Sequence, residues 1–174
     1  MSLEAFYRYK TRLMEAFVTN PAIVKLLNED IEITNAKRLI YQQVYPYEYI
    51  PETVEFGQTF ICVDVDIQSV TNNLIMKPDI FIWVFTHKSL LRLPEGGVRV
   101  DQLCSEIDTA LNGNRFFGMG ELKLASCKRF APTNDYQGKV MRFVADEINH
   151  DPDIKHRVPA NRKEPGKFYG AIVQ

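Results

Sequence analysis

The hydrophobic positions of the chain change period several times, and each change marks an element. From Glu4 to Phe17 the apolar residues Ala5, Phe6, Tyr9, Leu13, Ala16 and Phe17 recur at three- and four-residue steps, the spacing of one helix face. Thr19-Asn20-Pro21 then supplies a stop and a restart. Asn20 suits an N-cap and Pro21 the first helical position, where a missing N–H costs nothing. A short second helix is expected over Ala22–Asn28, so the helical N-terminus spans about residues 4–28.

Beyond Ile31 the pattern is irregular, and a strand is expected near Arg38–Tyr45. Tyr41, Tyr45, Tyr47 and Tyr49 crowd around Pro46; amphipathic rings of this kind suit half-buried anchors and also subunit interfaces. From Thr59 to Val70 the period is two. Ile61, Val63, Val65 and Ile67 alternate with Cys62, Asp64, Asp66 and Gln68, as in a strand with one wet face. Asn72-Asn73 reads as a turn and Lys77-Pro78-Asp79 as a break. The run Ile80–Phe85 has no polar alternation and reads as a strand buried on both faces. Val100, Leu103, Cys104, Ile107 and Leu111 form a helical stripe, which Gly113 is placed to end in a left-handed conformation. Two further strands, about Glu121–Phe130 and Lys139–Glu147, flank the turn formers Pro132, Asn134, Asp135 and Gly138 and predict an antiparallel hairpin.

These elements add up to an α+β domain over residues 1–149. Its sheet is mixed and largely antiparallel, of about four strands, with the N-terminal helices and one crossover helix packed on it. From His150 the chain carries three prolines, many charges and few aliphatics, which predicts an extended polar arm over 150–174.

Composition narrows the function. At 174 residues, 45% hydrophobic and 25% charged, the chain is of ordinary globular balance. Twenty-one Lys and Arg against twenty-two Asp and Glu give no basic excess, so specific nucleic-acid binding is not expected. Cys62, Cys104 and Cys127 are scattered singly, unlike a zinc site or a disulfide framework, and imply a reduced compartment. No stretch reaches the roughly 20 apolar residues of a membrane span, and no signal-peptide pattern opens the chain.

The segment VFTHKSLLRLPEGGVRVDQLCSEI concentrates reactive letters. Cys104 lies on the core-facing helical stripe, where cysteine behaves as a small hydrophobe. His87 and Ser89 follow the strand end and lack a nucleophile-elbow motif. Asp64 and Asp66 project on one strand face and, with His87, define the alternative of a metal-assisted hydrolase; no third-ligand pattern accompanies them. Neither glycine cluster, Glu95-Gly96-Gly97 or Gly118-Met119-Gly120, has phosphate-loop spacing. The expectation is a non-enzyme without metal or cofactor. Tyr45, Tyr47, Asp64, Asp66, His87, Lys88, Arg92 and Glu95 are its candidate interface residues.

The run IFIWVFTHKSLLRLPEGGVRVDQLCSEIDTAL, followed by GMGELKLASCKRFAPTNDYQGKVMRFVADEIN, resembles the neck and tail-completion proteins of long-tailed bacteriophages, especially the tail-terminator type of Gram-positive prophages. The upstream VYPYEYIPETVEFGQTFICVDVDI is similar to a segment before the first long strand of such proteins. The resemblance covers about Asn35 to Asn149. It implies a compact domain that forms a ring, commonly a hexamer, which caps the finished tail and joins it to the head. The implied partners are copies of the chain, the tail tube and head-connector proteins, in the bacterial cytoplasm during assembly and then in the virion. Another neck or head-tail connector component is the nearest alternative within that class.

Overall fold

The computed structural model describes residues 4–51, 57–71, 75–115, 120–145 and 147–148. The expected arm over 150–174, the Asn72-Asn73 turn and most of Gly118-Met119-Gly120 lie outside the described residues.

The N-terminal helices form as their spacing predicts, α1 over Glu4–Thr19 and α2 over Pro21–Leu27. Between them Asn20 stays extended, and its Oδ1 accepts from the amides of Ala22 and Ile23 at 3.0 and 3.4 Å. Those amides would otherwise lack partners at the start of a helix. The strand expected over Arg38–Tyr45 is corrected: Ile33–Leu39 is a 3-10 helix and only Val44–Tyr45 pairs, as β1. Its two buried side chains, Ala36 and Leu39, are three residues apart, the 3-10 period. Tyr41 then turns the chain at φ 62° and the Gln43 amide donates back to Leu39.

Strands β2 (Thr59–Thr71) and β3 (Ile75–His87) form a long antiparallel pair. Lys77-Pro78-Asp79, expected as a break, lies inside β3. Proline is tolerated there because the register shifts between Ile67 and Ser69 opposite Pro78, a bulge where a ladder donor is not needed. α3 (Arg99–Leu111) then leads to β4 (Lys123–Phe130) and β5 (Tyr136–Val144), the expected hairpin. The sheet order is β1-β2-β3-β5-β4, with β6 (Glu147–Ile148) pairing the start of β3. Among the described neighbouring strands, only β1 and β2 pair in parallel. Because β3 and β4 both run against β5, α3 crosses between two parallel strands with β5 inserted between them, a split βαβ connection. The sheet is therefore mixed and largely antiparallel as expected. β1, the remnant of the strand expected near Arg38–Tyr45, and β6 have two residues each, too few to leave a periodic signal.

The helices share one face of the sheet. Rows of directly opposed residues, Ile61–Val84, Val63–Ile82–Met141 and Val65–Ile80–Phe143, meet Leu13 and Phe17 of α1, Ile23 and Leu27 of α2, and Leu103, Ile107 and Leu111 of α3 in one core. Arg99 pins this layer. Its buried guanidinium donates to the carbonyls of Leu26 (2.9 Å) and Leu90 (3.0 Å) and to Glu29 (2.8 Å), so the end of α2 gains a donor for an orphan carbonyl. The helix ends as predicted, with Gly113 at φ +75° just beyond Asn112.

On the opposite face, Gly138 sits across from Phe85. A Cβ at Gly138 would come within 2.2 Å of the Val84 carbonyl oxygen and 2.5 Å of Phe85 Cβ. Both belong to the central strand, which has nowhere to yield. Gly138→Ala is expected to cost about 3 kcal/mol, the upper range for overpacking a well-filled site, read as a lowered urea midpoint. An unchanged midpoint would show that β3 and β5 are not in this register.

Candidate functional site

The reactive side chains of the 84–107 segment are engaged locally. His87 ends β3, and its Nδ1 accepts from the Ser89 amide at 3.3 Å and lies 2.7 Å from the Ser89 hydroxyl, capping the single turn Lys88–Leu90. Gly57 lies directly over the pair, since a Cβ there would approach Ser89 Oγ to 2.7 Å and His87 Nδ1 to 2.9 Å. The imidazole also meets the Tyr136 ring edge-on at 5.5 Å. His87 is thus a half-buried cap at the strand end. Lys88 donates to Asp135 at 2.6 Å, and this holds the Asp135 carboxyl below its usual range. Arg92 is exposed and bridges to Val98, and Glu95 is exposed in the following turn.

Asp64 and Asp66 do share a face, as the alternation predicts, but they are used differently. Asp64 Oδ1 accepts from the Val65 amide at 2.8 Å and lies 2.5 Å from Lys10 Nζ, which also donates to the Pro46 carbonyl at 3.1 Å. β1 reaches only Ile61 and Cys62, so beyond them no described strand covers the outer edge of β2. Asp64 and Lys10 occupy that edge, and a charged, internally satisfied edge resists further strand pairing. Asp66 is exposed. His87 does not join them: Asp64 pairs with Phe81, six residues down β3, or roughly 20 Å away at about 3.4 Å per residue. The hydrolase constellation does not converge.

The tyrosine segment folds over one end of the helix-free face. Tyr45 and Tyr49 stack at 4.2 Å, and Phe60, Phe85 and Tyr136 continue the cluster at ring separations below 6 Å for successive pairs. Tyr45 is buried, and burial together with the neighbouring tyrosines pushes its phenol up to about 12. Tyr47 remains 47% exposed. Cys62 is beneath this cover and Cys104 faces the core as expected; burial raises each thiol to about 12. Cys104 also contacts the thiol of Cys127, which is exposed on β4.

The remainder of this face carries half-buried aromatic residues that no described helix covers, and it is the feature that sequence reasoning missed. In Ile80–Phe85 the aliphatic residues Ile80, Ile82 and Val84 are buried under the helices, whereas Phe81 and Trp83 point the other way and are only half-buried, stacked at 5.9 Å. The run is therefore not buried on both faces throughout; its signal was the alternation of aliphatic with aromatic residues. Successive rows across the face read Cys62–Trp83–Val140–Lys128, Asp64–Phe81–Arg142–Ser126 and Asp66–Asp79–Val144–Lys123. Asp64 and Asp66 thus lie at the β2 side and Lys123 and Lys128 at the β4 side, with an aromatic and aliphatic centre that also holds Asp79 and Arg142. Within the rows, Arg142 donates to both carboxylate oxygens of buried Asp79 at 2.9 and 3.0 Å. Elsewhere a cavity of about 510 Å³ is lined by Gln43, Gly57, Ser89, Arg92 and Arg99 among others. Of its lining, Gln43 is already used, donating to the carbonyls of Leu27 and Thr59, both at 3.0 Å.

The model of the YomW family matches residues 20–145, from the start of α2 to the end of the β5 edge, and the chain belongs to that family. The family is named after a Bacillus phage or prophage gene product, which points to a phage origin. No curated protein matches the chain.

Two measurements test this account. A short iodoacetamide pulse on the native chain at pH 8 is expected to label Cys127 alone, with Cys62 and Cys104 reacting only after unfolding, as read by peptide mass spectrometry. Both buried thiols bind their protons more tightly folded, at about 12, than at the ordinary 9.0. Their contribution to stability is therefore complete below about pH 9 and declines as pH rises toward 12. Separately, Asp64→Val removes the Lys10 partner and the Val65 cap together. Faster aggregation on mild heating, measured by light scattering, is the expected result; unchanged scattering would show that this edge needs no protection.

Proposed function

We propose that this YomW-family chain is a non-catalytic assembly component of a phage particle, one that caps the head-proximal end of the tail and joins it to the head. It works as a ring of identical copies, with the tail tube on one side and head-connector proteins on the other. The observation that carries this reading is the employment of the reactive side chains inside the fold. His87 and Ser89 cap a turn beneath Gly57, Asp64 guards a strand edge, and Cys62 and Cys104 are buried with raised thiol pKa values. A nucleophile needs an adjacent, accessible base, and these groups have neither the approach nor the convergence.

The phage origin of the family supports the reading, as does the resemblance of the 80–149 sequence to tail-completion proteins. The balanced charge favours protein partners over packaged DNA. In such a role surfaces matter more than cavities. Tyr47 and the exposed Lys88, Arg92 and Glu95 of the loop after β3 are the contact groups we assign to neighbours, because loops adapt to partners while the scaffold stays fixed. Tyr45, in contrast, supports Tyr47 from beneath, with ring centroids 5.7 Å apart.

The decisive experiment is to purify tails assembled with and without the protein and to image their head-proximal ends. A ring present only when the protein is supplied, with tails of uniform length that join heads, is the expected outcome. Unchanged tail length and head joining in its absence would overturn the assignment, and a ring bound to heads but never to free tails would make it a connector component instead.

A further inference from the structure

The helix-free face of the sheet is self-complementary, and we infer that it docks a second copy of this chain face to face about a two-fold axis parallel to the strands. Such an axis, lying between β3 and β5, exchanges β2 with β4 and β3 with β5 while keeping each row opposite itself. Trp83 then faces the partner copy's β5 aliphatic position in the same row, occupied by Val140, and the Phe81 ring faces the guanidinium of Arg142, a cation–π geometry. In the last row Asp66 faces Lys123, joined through the pairings with Asp79 and Val144. Glu48 is near Cys62, the β2 position of the Trp83 row, whose β4 position is Lys128.

The alternative two-fold, perpendicular to the strands, sets β2 on β2 and β4 on β4. It would oppose Asp64, Asp66 and Glu48 to their own copies and the lysines to theirs, and like charges in close opposition are unfavourable. Edge-to-edge pairing is disfavoured as well. Asp64 and Lys10 block β2, while β4 carries exposed Lys123, Lys128 and Arg129, a bulge between Leu124 and Ser126, and an Asn112 side chain accepting from the Leu124 amide at 3.3 Å. The charge gradient across the face therefore selects one arrangement, the aligned face-to-face packing of two sheets.

The area sets its strength. Four strands about 4.8 Å apart, over about five residues of about 3.4 Å each, give a patch of roughly 300–400 Å². That is about half of what each partner buries in a stable complex, so the pairing is weak, reversible and sensitive to salt. It does not rest on the role proposed at the tail: loss of the dimer leaves that role standing, and failure of the tail experiment leaves the dimer standing.

Sedimentation equilibrium of the full chain, from micromolar to millimolar concentration, reads the association directly. The expected result is a monomer–dimer equilibrium weakened by salt. Asp66→Lys and Lys123→Glu are each expected to weaken it about tenfold, and an equimolar mixture of the two variants to recover the original affinity. Both side chains are exposed, and circular dichroism checks that both variants fold. Zero-length cross-linking of isotope-labelled with unlabelled copies should join Asp66 to Lys123. A chain that stays monomeric throughout, charge variants without effect, a mixture no tighter than either variant, or a closed species larger than a dimer held by the same cross-link would each overturn the inference.

Discussion

The pairing of β2 with β3 is the contact on which the other elements depend. It is the longest ladder among the described residues, and from Phe60 to Asp66 it presents aliphatic residues to one side and aromatic, cysteine or acidic residues to the other with a two-residue period. The aliphatic side is a surface that α1, α2 and α3 must cover, because leaving apolar area wet costs roughly 25 cal/mol per Å². Covering it with three helices on one face commits the opposite face to a different solution. Half of that solution is internal, in the Tyr45–Tyr49 cover over Phe60 and Phe85. The other half, around Phe81 and Trp83, is left to the surroundings.

The edges and the open face answer the same physical problem in opposite ways. Unpaired strand edges are general templates for aggregation, and here each is occupied by charge, by a bulge or by a side chain that takes an outward amide. The face carries no such device. Its aromatic centre is flanked by carboxylates on one side and amines on the other, so contact is neither blocked nor indiscriminate. Apart from the internally paired Asp79 and Arg142 at the centre, the charges of the described rows lie toward its two sides, acidic at β2 and basic at β4.

Much of this fold is legible in the sequence because its signals are local. Asn20-Pro21, the alternation from Ile61 to Ile67, the stripe from Val100 to Leu111 and Gly113 all act through neighbours within a few residues. Where the reading departs from the structure, distant partners decide. Pro78 is carried inside a strand by a register shift in β2, which no residue near Pro78 announces. Ile33–Leu39 shows apolar spacing too short to distinguish a 3-10 helix from a frayed strand until α1 packs on it. The role of Asp64 depends on Lys10, fifty-four residues earlier, and the charge gradient depends on sheet order, which places β4 beyond β5. The placement of Cys104 was readable because the stripe alone fixes it.

Weak surfaces suit a component that acts on a template. A patch of a few hundred square ångströms cannot offset the loss of translational and rotational freedom in dilute solution. In the proposed role the same patch becomes effective when a tail end or a neighbouring copy holds two chains at high local concentration, since an intramolecular contact needs no further loss of that freedom. Near-balanced charge helps, because copies brought side by side do not repel as strongly charged ones would. The same economy explains why the groups capable of chemistry are placed at caps and edges. In the proposed role, a protein that presents a rigid, graded surface gains more from Asp64 fixing a strand edge, or His87 fixing a turn, than from either group left free to react.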